Sequence, residues 1–394
     1  MRRITLLLVA LVAAFGAEAQ YYYPDATNPD ILRHTERVNR QRKEFVLPAV
    51  NGYNVYKADL HTHSIFSDGS VTPEFRVQEA WYSGLDVMAV TEHVEYRPYE
   101  GKMISYLKGY IPEGTKAFNN SLISKAADER GIQPDLNYAV KLAEAAAAGY
   151  GITIIPGTEI TRAPETIGHY NALFTKDNNT IYDADPCKSI KNARAQGAII
   201  MQNHPGWRRT SLDMLDFEKK VYAENLIDGI EIMNGSEFYP RAITRAKKEG
   251  YFMASNTDVH GSIAEDYSLQ GQQRNMTLIF AKDKSLASLR EALEAHRTLA
   301  YSAGTLAGDE QLLKDLFMAS ISVTTIQEQA NGNRKVAITN NSSVPYILRL
   351  GSANPIHFSP FSSITATIAK NGVVKISVEN MWYGENEHPV IELK

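Results

Sequence analysis

Short apolar runs recur along most of the chain, separated by polar and amphipathic stretches. NVYKADLH, LDVMAVTEH, GITIIPGTEI, GHYNALF, GAIIMQNH, DGIEIMN, YFMASNTDVH and NMTLIFA read as strands. Between them TPEFRVQEAWYSG, NYAVKLAEAAAAG, PCKSIKNARAQG, RAITRAKKEG and SLASLREALEAHR read as helices, and several end in the glycine of a helix C-cap. Apolar strands alternating with helices predict parallel β/α units. The alternation spans roughly 250 residues, the usual size of a β/α barrel. The texture changes near Gly308. After DEQLLKDLFMA come ISVTTIQ, KVAITNNS, YILRLG, SITATIAK, VVKISVEN and HPVIELK, short and rich in Val, Ile and Thr. They predict a small all-β sandwich.

The expected division is a leader at 1–19, an N-terminal arm at 20–50, the barrel at 51–307 and the sandwich at 308–394. The leader reading rests on Arg2 and Arg3, the apolar stretch Ile4 to Phe15, and the Ala17-Glu18-Ala19 cleavage pattern. The apolar stretch is too short for a permanent membrane anchor. Export to the periplasm or the medium is therefore expected. Between His93 and the next strand lies a long insertion, Val94 to Tyr150, with many tyrosines and no clear period. It is either a lid over a site or a surface insertion.

Composition narrows the chemistry. The net charge is −4, and loss of the leader would remove two basic residues and one acidic one, so no broad basic footprint for extended nucleic acid exists. One cysteine, Cys187, excludes an internal disulfide and a cysteine metal site. Any metal must be held by histidine and carboxylate.

Such residues gather where the strands end. DLHTH carries His61 and His63, SDG carries Asp68, TEH carries His93, and PGTE carries Glu159. GHYN carries His169 at a strand start, NHP carries His204, and TDVH carries Asp258 and His260. Six of the ten histidines fall at these points, while His34, His296, His357 and His388 read as bystanders. Strand C-termini of a β/α barrel converge on one face. In H-x-H on a strand both side chains point the same way. Imidazole with carboxylate suits Zn, Mn or Fe. Nine such residues exceed one tetrahedral site and imply two or three divalent ions with a bridging carboxylate. Asp59 is a candidate to orient a histidine from behind.

The series DLHTH–SDG–TEH–PGTE–GHYN–NHP–TDVH, over about residues 55–305, resembles the PHP (polymerase and histidinol phosphatase) family of metal-dependent phosphoesterases. The resemblance implies a distorted TIM-like (β/α)7 barrel with a trinuclear metal site. It implies that His61, His63, Glu159 and Asp258 hold one ion, and that Glu159 bridges to a second held by His169 and His204. Asp68, His93 and His260 would hold the third. Glu92 departs from the aspartate that often precedes the histidine in the family. The implied activity is hydrolysis of a small phosphate ester by a hydroxide shared between ions. Arg162 and Arg208 are candidates to hold the phosphate, and Asp258 to carry a proton. Two rivals stand beside it. One is an amidohydrolase-type enzyme, which usually needs a bridging lysine where this chain has Glu159. The other is a non-catalytic protein whose β-domain binds a glycan or partner.

Overall fold

The computed structural model describes residues 41–98, 135–161, 167–370 and 372–393. The leader, most of the arm with His34, the central part of the insertion and Arg162 lie outside the described residues.

All eight runs read as strands are strands: β1 (Asn54–Asp59), β2 (Val87–Val90), β3 (Thr153–Thr161), β4 (His169–Leu173), β5 (Ile199–Gln202), β6 (Gly229–Asn234), β8 (Phe252–Asn256) and β9 (Met276–Ala281). The sequence pattern missed β7 (Glu237–Phe238), β10 (Thr298–Ser302) and β11 (Thr305–Gly308). The helices are α1 (Pro73–Tyr82), α2 (Tyr138–Ala147), α3 (Pro186–Ala195), α4 (Asp216–Ala223), α5 (Pro240–Glu249), α6 (Ile263–Asp266), α7 (Leu286–Glu294) and α8 (Glu310–Ser320). Several start as their sequence dictates. Thr72 caps α1 by accepting from the Phe75 N–H, with Pro73 in the first turn, where no N–H is needed.

One sheet runs β11-β10-β9-β1-β2-β3-β4-β5-β6-β7, with β8 added to β6. It curls until β8 meets β1 again, so β1 to β6 and β8 make a seven-strand distorted barrel. Beyond the strand ends, Thr62 and Val259 form a bridge. His63 N donates to Val259 O at 3.2 Å, and Asp258 N to His61 O at 3.0 Å. On the other side of the seam, threonine hydroxyls stand in for a ladder. Thr277 bonds both the N–H and the C=O of Ser255, and Thr298 does the same for Met253.

The barrel is mixed where the alternation predicted parallel strands throughout. Pairs β1–β2, β2–β3, β5–β6 and β6–β8 are parallel, but β4 is antiparallel to both β3 and β5. The reason is length. Only residues 162–168 join β3 to β4, fewer than the dozen or so that a crossover needs. The missed pair β10–β11 is a hairpin turning at Ala303 and Gly304, both at positive φ. Ala-Gly supplies this turn without the Asn-Gly or Asp-Gly signature that announces one.

The C-terminal region forms two antiparallel sheets, as the sandwich reading expected. One contains β12 (Ile321–Glu328), β13 (Arg334–Asn340) and β16 (Ser363–Ile368). The other contains β14 (Tyr346–Arg349), β15 (Ile356–Phe358), β17 (Val374–Val378) and β19 (Val390–Leu393). The short β18 (Met381–Trp382) leaves this region and pairs with β11 of the barrel sheet. One hydrophobic cluster contains Leu306, Leu316 and Phe317 together with Val336, Ile338, Tyr346 and Met381. Residues Arg42–Lys394 accordingly form one compact unit. Among the described residues no helix is long and apolar enough to cross a membrane.

Phe317 is fully buried and meets Tyr346 edge-on at 4.8 Å, at the junction of α8 and the sandwich. Phe317→Ala should cost about 3–5 kcal/mol in urea unfolding. Because the core is shared, circular dichroism and tryptophan fluorescence should still report one coincident transition.

Candidate metal centre

The seven-strand curl brings together eight of the nine predicted ligands at strand C-terminal ends. The ninth, His169, starts a strand. Because β4 runs antiparallel, its first residue lies beside the last residue of β3, at the same end of the barrel. Two isolated bridges carry strand geometry into the site, Thr62–Val259 and His93–Glu159.

Glu159 is the hub. Its Oε1 lies 3.5 Å from His61 Nε2, 3.2 Å from His169 Nδ1 and 3.8 Å from His204 Nε2. Its Oε2 lies 2.7 Å from His93 Nδ1 and 3.4 Å from His63 Nε2. Asp258 Oδ1 lies 3.1 Å from both His61 Nε2 and His63 Nε2, while its Oδ2 faces His204 at 3.7 Å. Asp68 Oδ1 lies 3.3 Å from His93 Nε2 and 3.2 Å from His260 Nε2. Three sets therefore have donor atoms within 4.8 Å of one another: His63, Asp68, His93 and His260; His61, Glu159 and His204; His61, His63 and Asp258. His63 stands with the Asp68 set as well as with Asp258, and His169 approaches Glu159 from outside the sets. His296, His357 and His388 enter none of them.

The donors fit cations. Asp68 Oδ1 and Glu159 Oε2 are buried and accept no well-formed hydrogen bond, although ring nitrogens crowd around them. Lone pairs that converge on lone pairs are the arrangement of ligands around an ion. Asp258 adopts φ 53, a left-handed conformation costly for a non-glycine residue and typical of functional sites.

Residues 59–320 match the PHP domain family. The chain belongs to the PHP family. A two-domain protein from Bacteroides vulgatus, containing a predicted PHP-like metal-dependent phosphoesterase, is 30% identical with a TM-score of 0.77. The match covers 90% of this chain and 99% of that one. An amidohydrolase from Chromobacterium violaceum is 16% identical over 53% of this chain and 89% of that chain, with a TM-score of 0.35. A lesion-specific endonuclease from Pyrococcus furiosus is 16% identical over 69% of this chain and 62% of that chain, with a TM-score of 0.40. Neither of these two bears on activity at such distance. No curated protein matches the chain.

Around these nine residues lies a supporting layer that the sequence reading mostly missed. Glu231, fully buried on β6, accepts from His61 Nδ1 at 3.0 Å and from the His204 N–H at 2.7 Å. It turns His61 Nε2 toward the cluster, the usual task of a carboxylate behind a ligating histidine. Its signal was present in GIEIMN, an acid inside an apolar strand. Asp59 does not orient a histidine ring. It accepts from the main-chain N–H groups of His61 and Thr257 and pairs with Arg274, fixing the backbone at the ends of β1 and β8. Glu92 accepts from Ser64 and Ser67, and Ser67 Oγ lies 3.2 Å from His63 Nδ1. Asn203 Nδ2 donates to Glu159 Oε1 at 2.8 Å. Gly69 of SDG has no substitute, since a Cβ there would sit 2.8 Å from the backbone of His63 and Ser64. Arg208 is exposed and lies over the Trp207 ring, 4.4 Å from its centroid. Its neighbour Arg209, overlooked in the sequence, points inward, lines a small cleft with His169, His204 and Trp207, and pairs with Glu218 at 2.7 Å.

The carboxylates dominate the electrostatics. Burial disfavours a charged Glu159, yet His93 and His61 hold it well below the usual carboxylate range. Burial likewise opposes a charged His93, but Glu159 and Asp68 push it up to about 10. His61 rises in the same way against burial through Asp258, His204 through Glu159, and His260 through Asp68. His169 goes down, because burial outweighs its bond to Glu159.

Without metal, His93 holds its proton at neutral pH and the other raised histidines bind protons more tightly than free imidazole, and ligation must expel them. Divalent-metal affinity should therefore fall as pH drops and rise through neutrality, with proton release visible by calorimetry in buffers of different ionisation enthalpy. Glu231→Gln should weaken binding about 10–100-fold without loss of fold, measured by competition with a chelator.

Proposed function

We propose that the chain hydrolyses phosphate esters with two or three divalent ions, Zn, Mn or Fe, in this centre. The supporting observation is the convergence of nine imidazole and carboxylate side chains in a PHP domain, with buried oxygens of Asp68 and Glu159 facing the ring nitrogens. Glu159 and His204 with His61, Asp258 with His61 and His63, and Asp68 with His63, His93 and His260 would hold the ions. His169 would complete the group at Glu159. Bound there, the ions would supply Lewis acidity toward a phosphoryl oxygen and toward a water molecule.

The chain's own residues divide the remaining tasks by exposure. The Glu159 side chain is 1% exposed and would serve as a fixed ligand rather than a proton carrier. The Asp258 side chain is 20% exposed, and the His61 and His63 charges hold its carboxyl below the usual range despite burial. It is therefore ionised at neutral pH and open to substrate, and we assign it the proton from attacking water. Arg208 beside Trp207, and Arg162 just past β3, are the cations proposed to hold the phosphate. We take the substrate to be a small phosphorylated molecule met outside the cytoplasm, since residues 1–19 carry the features of a secretory leader.

Protein purified without chelator should release p-nitrophenol from p-nitrophenyl phosphate or bis-p-nitrophenyl phosphate, lose that activity on chelation and regain it with Mn or Zn. Asp258→Asn should lower kcat by about 10²–10⁴-fold. Full metal content with no turnover of either ester would reject the phosphoesterase reading in favour of C–N or C–O hydrolysis or binding alone.

A further inference from the structure

The loops carrying His63, Asp68 and His260 leave different strands, β1 and β8. A side chain of α1 ties them together. Arg76 is 1% exposed. Its Nε and Nη2 both donate to the main-chain oxygen of His63, at 3.1 and 2.9 Å. Nη2 also reaches the oxygens of His260 at 3.4 Å and Val259 at 3.5 Å. Nη1 donates to Glu79 at 2.7 Å, and the other Glu79 oxygen accepts from the Ile263 N–H at 2.8 Å, at the start of α6. Ser70, just after Asp68, donates its N–H to the same His260 oxygen at 2.8 Å.

A buried helix position asks only for an apolar side chain, as Val77 and Ala80 beside it supply. A buried ion pair is an expensive alternative that often gives no net stability. Here the guanidinium fork has a geometric task. It holds the carbonyls of His63 and His260, just beyond the Thr62–Val259 bridge that joins the two loops. The His61–Glu159–His204 set is held differently, by Glu231 and Asn203, and Arg76 bonds to none of its members.

Resting on the metal-centre reading above, we propose that Arg76 is a positioning residue that sets the His63–Asp68–His93–His260 group through the main chain, leaving the His61–Glu159–His204 group independent of it. The two groups then differ in what removes them.

The test is metal affinity, read by competition with a chromophoric chelator and by mass-spectrometric metal content, with circular dichroism to confirm the fold. Arg76→Lys keeps the charge but loses the fork. It should weaken one equivalent by about 10–100-fold. Asp68→Asn should remove that same equivalent, so Arg76→Lys adds little to it, whereas its effect should add to that of His204→Asn. Glu79→Gln, which leaves the guanidinium in place, should weaken the same equivalent less and carries the test if Arg76→Lys does not fold. Wild-type affinity in the folded Arg76 and Glu79 variants, or loss of the equivalent that His204→Asn removes, overturns the inference and leaves the metal centre standing. Failure of the wild-type protein to bind any divalent metal removes both.

Discussion

Everything at the mouth of this barrel is arranged around the cost of burying the Glu159 carboxylate. An isolated buried charge would take up a proton rather than stay ionised. Glu159 instead faces five imidazoles drawn from the ends of β1, β2 and β5 and the start of β4, and it accepts a bond from Asn203. Those rings are themselves buried and need the carboxylates as much as the carboxylates need them. The result is a cluster with more negative charge and more lone pairs than its own hydrogen bonds satisfy. Protons or cations must complete it.

The second constraint is closure. The barrel seam between β8 and β1 is joined by main-chain bonds at the candidate ligands, Asp258 N to His61 O and His63 N to Val259 O. The same short segments build the site and close the seam. Asp258 accepts a left-handed backbone as part of it. Asp59 with Arg274, Arg76 with Glu79, and Glu231 then fix the backbone and rings from behind. These buried polar groups contribute geometry rather than stability, which comes from the apolar faces of the strands and from a core that runs on into the C-terminal sheets.

Much of this was legible in the chain. The eight strand runs could be read because each is an apolar stretch of strand length between breakers. The nine residues that converge could be read because histidine and acid at the ends of apolar runs have few other uses. The supporting layer was harder to see. Glu231 sits within a strand, Arg76 looks like an ordinary charged helix residue, and Arg209 is one of two adjacent arginines. Nothing local tells which of them turns inward. The hairpin at Ala303 and Gly304 lacked a turn signature, and the C-terminal region gave no sign that β18 would cross to the barrel sheet.

By itself the sequence determined the barrel class, the family motifs and the candidate ligands, because period, residue type and local spacing are properties of short segments. Only the tertiary structure decided which ligands stand together, that β4 runs antiparallel and so delivers His169 to the right end, and that β1 meets β8 through the ligands' own main chain. Those outcomes depend on how far apart segments pair around a closed sheet. Burial then assigned the roles. The same glutamate is a solvated charge on a surface and, walled in by five imidazoles, the centre of a candidate metal site.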